Sequence, residues 1–157
     1  MTENNEKERT LITQDDSIFQ SANKKMYCTM DLEDKANKAA LYNSLQECDV
    51  KLNDIKGTTI EVVNIFIEEK EVAVRDDKTD EVLYDEEGNV QTKTRFRTIL
   101  FGKDGKTYVS AAYGVYNSLK QIIPIFGNPS EENPIKVKVG TRKLRSGKES
   151  LILTVVK

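Results

Sequence analysis

Apolar and polar positions change their rhythm along the chain, and each change marks an element. From Asp31 to about Gln46, DLEDKANKAALYNSLQ has no Gly or Pro, opens on capping and acidic residues, and is dense in Ala and Leu, which predicts a helix over about 31–47. Leu41, Leu45 and Cys48 recur at spacings of four and three and form its apolar stripe. After Gly57 the stretch TTIEVVNIFIEEKEVAV turns to period two and β-branched runs, too long for one flat strand, and predicts a strand that bends to serve two sheet faces. Phe66 is placed on the same face as Ile60 and Val62, as core. Arg75–Gln91 is acidic with a turn at Glu87-Gly88-Asn89, a protruding hairpin or flexible loop. TKTRFRTILFG, KDGK and TYVSAA read as strand, tight turn, strand. YGVYNSLKQII is a short helix stopped by Pro124, and PIFGNPSEENP is a loop. PIKVKVGT and ESLILTVV are two more strands, joined by the basic turn RKLRSGK.

The first 24 residues are polar apart from Leu11, Ile12, Ile18 and Phe19, and read as a flexible N-terminal arm through which self-association could run. Residues 25–157 then form one domain. Its order, a helix followed by three strands, a helix and two strands, is that of a mainly β (α+β) fold: a five-stranded OB-type barrel with one helix between strands 3 and 4, plus an N-terminal helix.

Charge is distributed unevenly. Residues 1–91 carry 11 Lys/Arg and 22 Asp/Glu, whereas residues 92–157 carry 13 and 4, so a net charge of −2 conceals a basic C-terminal part suited to a polyanion. A two-residue turn at Asp104-Gly105 pairs Lys103 with Lys106 and opposes Phe101 to Tyr108 and Ile99 to Ser110. Lys93, Arg95, Arg97 and Lys106 then share a face with both rings, while Leu100, Val109, Thr98, Ala111 and Phe96 face the core. Cations that follow phosphates and rings that stack unpaired bases are what single-strand binding requires. Arg142, Lys143, Arg145 and Lys148 lie in the basic turn at the rim of such a barrel. Tyr113 and Tyr116 are read as core or rim packing, and Tyr84 lies among acids that repel phosphate.

Composition narrows the chemistry further. The chain has no His, which removes the commonest general base and zinc ligand. Cys28 and Cys48 lie 20 positions apart without a CxxC spacing and read as incidental thiols. No cofactor, metal or catalytic group is expected, and the protein is expected not to be an enzyme. No apolar run reaches the roughly 18 residues of a membrane span, and MTENNEKERT is unlike a signal peptide, so a cytoplasmic protein is expected.

Three segments carry a resemblance: LNDIKGTTIEV, ILFGKDGKTYVSAAYGVYNSL and PIKVKVGTRKLRSGKESLILTV. In their order and spacing, over roughly residues 24–157, the chain resembles the small OB-fold single-stranded DNA-binding proteins of tailed phages of Gram-positive bacteria and related mobile elements such as conjugative plasmids. The resemblance implies a non-enzymatic protein of the bacterial host cell that coats single strands in replication or transfer, with the binding face on Lys93, Arg95, Arg97, Phe101 and Tyr108. The arm and the 75–91 insertion look longer than the family minimum, and LTVVK lacks the acidic tail through which cellular single-strand binding proteins recruit partners. The pattern leaves RNA and duplex DNA open as ligands. A reading of another class is a protein-interaction or self-assembly module whose basic sheet face docks an acidic segment.

Overall fold

One strand organises the sheet. In the computed structural model, which describes residues 11–12 and 24–157, the elements are β1 (Leu11–Ile12), β2 (Lys24–Cys28), α1 (Lys35–Gln46), β3 (Val50–Lys51) and a 3-10 turn (Leu52–Asp54). They continue with β4 (Thr59–Ala73), β5 (Thr92–Gly102), β6 (Thr107–Ser110), α2 (Tyr113–Phe126), β7 (Ile135–Lys143) and β8 (Glu149–Val155). The 15 residues of β4 are the long β-branched run, and they pair with β7 over Thr59–Val62, with β5 over Val62–Ala73 and with β2 over Phe66–Lys70. One ladder therefore runs β1-β2-β4-β5-β6-β3, while β7 and β8 leave from the first turn of β4, and the sheet curls into an open half-barrel.

Two local features hold it open. The free edge of β6 is taken by β3, which pairs with it in parallel through Val50↔Tyr108 and Lys51↔Val109. The outer edge of β8 is covered by α2: the Leu153 N–H donates to Ser118 Oγ at 3.1 Å, and Ser118 Oγ donates to the Gly114 carbonyl at 2.7 Å. Gly114 permits this approach, because a Cβ there would collide with the Leu151 carbonyl. The fold is thus mainly β with a curled sheet and two helices, but it has eight strands among the described residues instead of a closed five-stranded barrel. The helix expected between strands 3 and 4 lies between the sixth and seventh of eight.

A bulge in β4 separates two cores. Val62 opposes Gly102 and Asn64 opposes Phe101, so Val63 is an extra residue and the inward set changes parity across it. Ile60, Val62, Ile65 and Ile67 all face the half-barrel interior, with Leu100, Val115, Leu119, Val137 and Leu153. Val63 and Phe66 face the other way and pack with Cys28, Met30, Ile99 and Leu41 of α1. Phe66 is core, as expected, but on the face opposite Ile60 and Val62. Leu41 and Leu45 of α1, with Cys48 just past its end, cover this outer face.

The β5–β6 turn differs from expectation by one residue. The observed pairs are Thr98↔Ser110, Ile99↔Val109, Leu100↔Tyr108 and Phe101↔Thr107, closed by Gly102 N–H to the Lys106 carbonyl at 2.9 Å. The loop is therefore the three residues Lys103-Asp104-Gly105, with Gly105 left-handed at φ 83°. Asp104 fixes it: one carboxylate oxygen accepts from Lys106 N–H at 3.0 Å and the other from the Tyr108 hydroxyl at 2.6 Å. The slip puts Phe101 and Tyr108 on opposite faces.

Helix ends shift for identifiable reasons. Asp34, not Asp31, caps α1, accepting from Ala36 N–H at 2.7 Å and Asn37 N–H at 3.3 Å. Pro124 does not stop α2; it sits in the last turn, where its missing N–H affects only the carbonyl of exposed Lys120, and the helix ends at Gly127 with φ 80°. The 75–91 segment is an irregular hairpin with bridges Arg75↔Val82 and Tyr84↔Val90. Of the predicted arm, only Leu11–Ile12 and Lys24 belong to the described residues, as β1 and the start of β2; Ile18 and Phe19 lie outside them. Among the described residues no helix is long and apolar enough to cross a membrane.

The Tyr108–Asp104 contact carries a pH signature. Burial, then the Asp104 carboxylate, pushes the Tyr108 phenol from 10.0 up to about 12, while the Tyr108 hydroxyl and the Lys106 N–H hold Asp104 below the usual carboxylate range. A raised phenol pKa leaves stability intact below the unfolded value and removes it as pH rises through the folded one; for Asp104, stability is present above the ordinary carboxylate range and fades as pH falls below it. Denaturant titrations should show wild-type stability falling between pH 10 and about 12, and a shallower fall in Tyr108→Phe.

Candidate nucleic-acid interface

The ten residues proposed from sequence do not form one face. Lys93, Arg95 and Arg97 do share a side of β5 with Ile99 and Phe101, because they alternate along one strand. Arg97, however, is engaged within the fold: its guanidinium pairs with Glu68 at 3.0 Å and donates to the Leu45 carbonyl at 3.1 Å, tying the end of α1 to the sheet. Phe101 is buried beneath α1 in the outer core, and Tyr108 is buried in the inner core. The expectation that these two rings share an exposed, cation-lined face is therefore corrected: the one-residue slip in the turn puts Tyr108 on the inner face, and α1 covers Phe101 on the outer one. Lys93 and Arg95 are exposed at one end of β5 and Lys106 at the other, about 24–30 Å of strand away. Arg142, Lys143, Arg145 and Lys148 are exposed together on the β7–β8 turn.

Three other rings come together on the inner face. Phe96 of β5 points to the side opposite Arg95 and Arg97 and meets Tyr116 at 4.3 Å and Tyr113 at 5.3 Å between centroids. Tyr113 and Tyr116 lie 5.9 Å apart on α2, and the Lys120 ammonium sits 5.3 Å from the Tyr116 ring. Tyr113 is 58% exposed. The helical spacing of Tyr113, Tyr116 and Lys120 at i, i+3 and i+7 is legible in the sequence. What it lacks is any sign that this stripe meets Phe96 at the unclosed side of the sheet.

The row of rings joins two depressions. The first, about 290 Å³, lies between β2 and α2; Met26, Tyr27, Ile67, Ile123 and Pro124 form its apolar walls, and Lys25, Lys120, Glu69 and Tyr116 its polar and aromatic ones. The second, about 620 Å³, opens between the end of β6 and the basic turn, bordered by Lys51, Asn53, Tyr113, Leu144 and Lys148. Tyr116 belongs to one and Tyr113 to the other. Burial, and then the neighbouring Glu69 carboxylate, pushes the Tyr116 phenol up, so it remains a neutral donor at ordinary pH and its hydroxyl donates to Glu69 Oε2 at 3.4 Å. Flat rings flanked by ammonium groups along an open groove suit a ligand with exposed π-faces and regular negative charge.

An OB-like half-barrel with such a groove belongs to the class of oligonucleotide-binding folds. The sequence profile of the phage single-stranded DNA-binding protein family matches residues 20–156, and the chain is a member of that family. Neither a curated protein nor a solved structure matches the chain significantly.

The corrected positions make a structural prediction. Phe101→Ala should destabilise the protein by about 3–5 kcal/mol through the cavity it leaves beneath α1. Arg97→Ala should lower the urea midpoint as well, by deleting an ion-pair partner of the buried Glu68 carboxylate and the tie to Leu45. Equilibrium urea unfolding checks both; wild-type midpoints would place these side chains outside the fold's support.

Proposed function

We propose that the protein coats and protects single-stranded DNA without regard to sequence, as a non-enzymatic component of phage or plasmid replication or transfer in the host cytoplasm. Residues 25–157 act as one unit built on the OB-like half-barrel. The observation that carries the reading is the row Phe96, Tyr113 and Tyr116 with Lys120 beside it, which supplies stacking surface and positive charge in one groove. The strand continues past Tyr113 to the basic turn, where Arg142, Lys143, Arg145 and Lys148 take phosphates. Lys106, Lys93 and Arg95 add long-range attraction at the periphery. Arg97, Phe101 and Tyr108 support the fold and touch no base.

Unpaired bases distinguish this ligand from duplex DNA, because only they can lie on the rings. The test is fluorescence anisotropy of a labelled dT homopolymer, with a duplex of matched length alongside, at several salt concentrations. With about five phosphates neutralised, log K should fall against log salt with a slope of about −3.5 for the single strand. Tyr113→Ala and Tyr116→Ala should each weaken binding by about 1–3 kcal/mol, and Tyr113→Ala should do so with little change in stability. Unchanged affinity in both variants, or equal affinity for the duplex, would contradict the reading.

A further inference from the structure

Glu69 is out of place in a groove meant for phosphate. It lies mid-strand on β4, with Lys25 directly opposed on β2 and Phe96 directly opposed on β5, and it lines the first depression beside Tyr116. One of its oxygens accepts from the Tyr116 hydroxyl at 3.4 Å; among the described residues the other, Oε1, has no hydrogen bond. A backbone passing along the rings meets Lys120 from the helix side and Lys25 from the strand side, so phosphates have partners at the rim. The carboxylate then faces whatever enters between those two ammonium groups, in a recess walled by Met26, Tyr27, Ile67, Ile123 and Pro124. At about 290 Å³ this recess is near the lower end of small-molecule sites, the scale of one base and not of a chain segment.

We infer that this recess takes a single flipped-out base and favours one that carries an exocyclic amine beside a ring-nitrogen acceptor, with Glu69 as the group that selects it. Cytosine N4–H₂ and adenine N6–H₂ donate to a carboxylate, whereas thymine presents its O4 acceptor at the corresponding position and is repelled. The acceptor nitrogen next to the amine is placed to receive a hydrogen from the Lys25 or Lys120 ammonium, and the ring lies against Tyr27 or Tyr116. A protein that coats any sequence therefore carries one selective position within an otherwise tolerant track. The inference rests on the reading of the aromatic row as the single-strand interface.

The experiment compares dC, dA and dT homopolymers of one length on the full chain, in wild type and Glu69→Gln. Wild type should bind dC and dA about fivefold more tightly than dT, the scale of one net hydrogen bond. In Glu69→Gln the carboxamide offers a donor to O4 as readily as an acceptor to an amine, so the dC-to-dT ratio should fall close to one. Loss of a negative charge strengthens binding of all three alike and cancels in the ratio. If dC exceeds dA, the recess is sized for a pyrimidine; if dA exceeds dC, for a purine; either order above dT supports the assignment. Equal wild-type affinities, or a preference that persists in Glu69→Gln, would overturn it. Should Tyr113→Ala still weaken all three oligonucleotides equally, only this inference falls. Should none of them bind, the reading of the row falls with it.

Discussion

The architecture depends on β4 changing partners along its length. Its first four residues belong to the ladder with β7 and the remainder to ladders with β5 and β2. A continuous strand can do this only if its side chains stay correctly oriented through the bend, and the extra residue at Val63 achieves that. Without the bulge, Ile65 and Ile67 would turn outward and Phe66 inward, and both cores would lose their members. The bulge therefore sets which residues line the half-barrel, and through Ile67 and Glu69 which residues line the groove.

The second constraint is the occupation of edges. A small barrel closes when its first and last strands meet, but here β3 occupies β6 and α2 covers β8. Leaving the sheet open at this point exposes the mouth that Tyr113 lines, next to Tyr116. Main-chain groups that closure would have paired find other partners: Asp49 accepts from Thr107 N–H at 2.9 Å beside β6, and Ser118 accepts from Leu153 N–H on β8. Stability on the closed sides and an exposed apolar row on the open side thus arise from the same pairing pattern. α1 serves the other face, where it covers Phe66, Ile99 and Phe101 and is tied down by Arg97.

Much of this was legible from residue order alone, because periodicity reports elements directly. The bent β4 run, the β5–β6 hairpin, both helices, the terminal hairpin and the family likeness all follow from pattern. Positions failed where one residue decides a face. Asp104-Gly105 is compatible with two-residue and three-residue loops, and the choice rests on Asp104 reaching Tyr108, a contact between side chains that alternation does not encode. The bulge at Val63 is hidden because Val62 and Val63 are identical side chains in a run rich in β-branched residues, so composition does not mark which one is extra. Strands as short as Val50–Lys51 carry no periodicity at all. The site suffered most: the slip turned Tyr108 inward and α1 covered Phe101, while the rings gathered on the inner face are Phe96, Tyr113 and Tyr116.

The central claim is that single strands run along the inner-face rings of α2 and β5, not across the outer face of β5. Ultraviolet cross-linking of a dT homopolymer to the intact protein, with the modified peptides identified by mass spectrometry, tests it most directly. Tyr42 on α1, Tyr84 on the acidic hairpin and Tyr113 on α2 are 62%, 60% and 58% exposed, so solvent access alone does not favour any of them. The account predicts cross-links at Tyr113, Tyr116 or Phe96 and none at Tyr42 or Tyr84. Cross-links confined to Tyr42 would place the strand on the α1 side and contradict it.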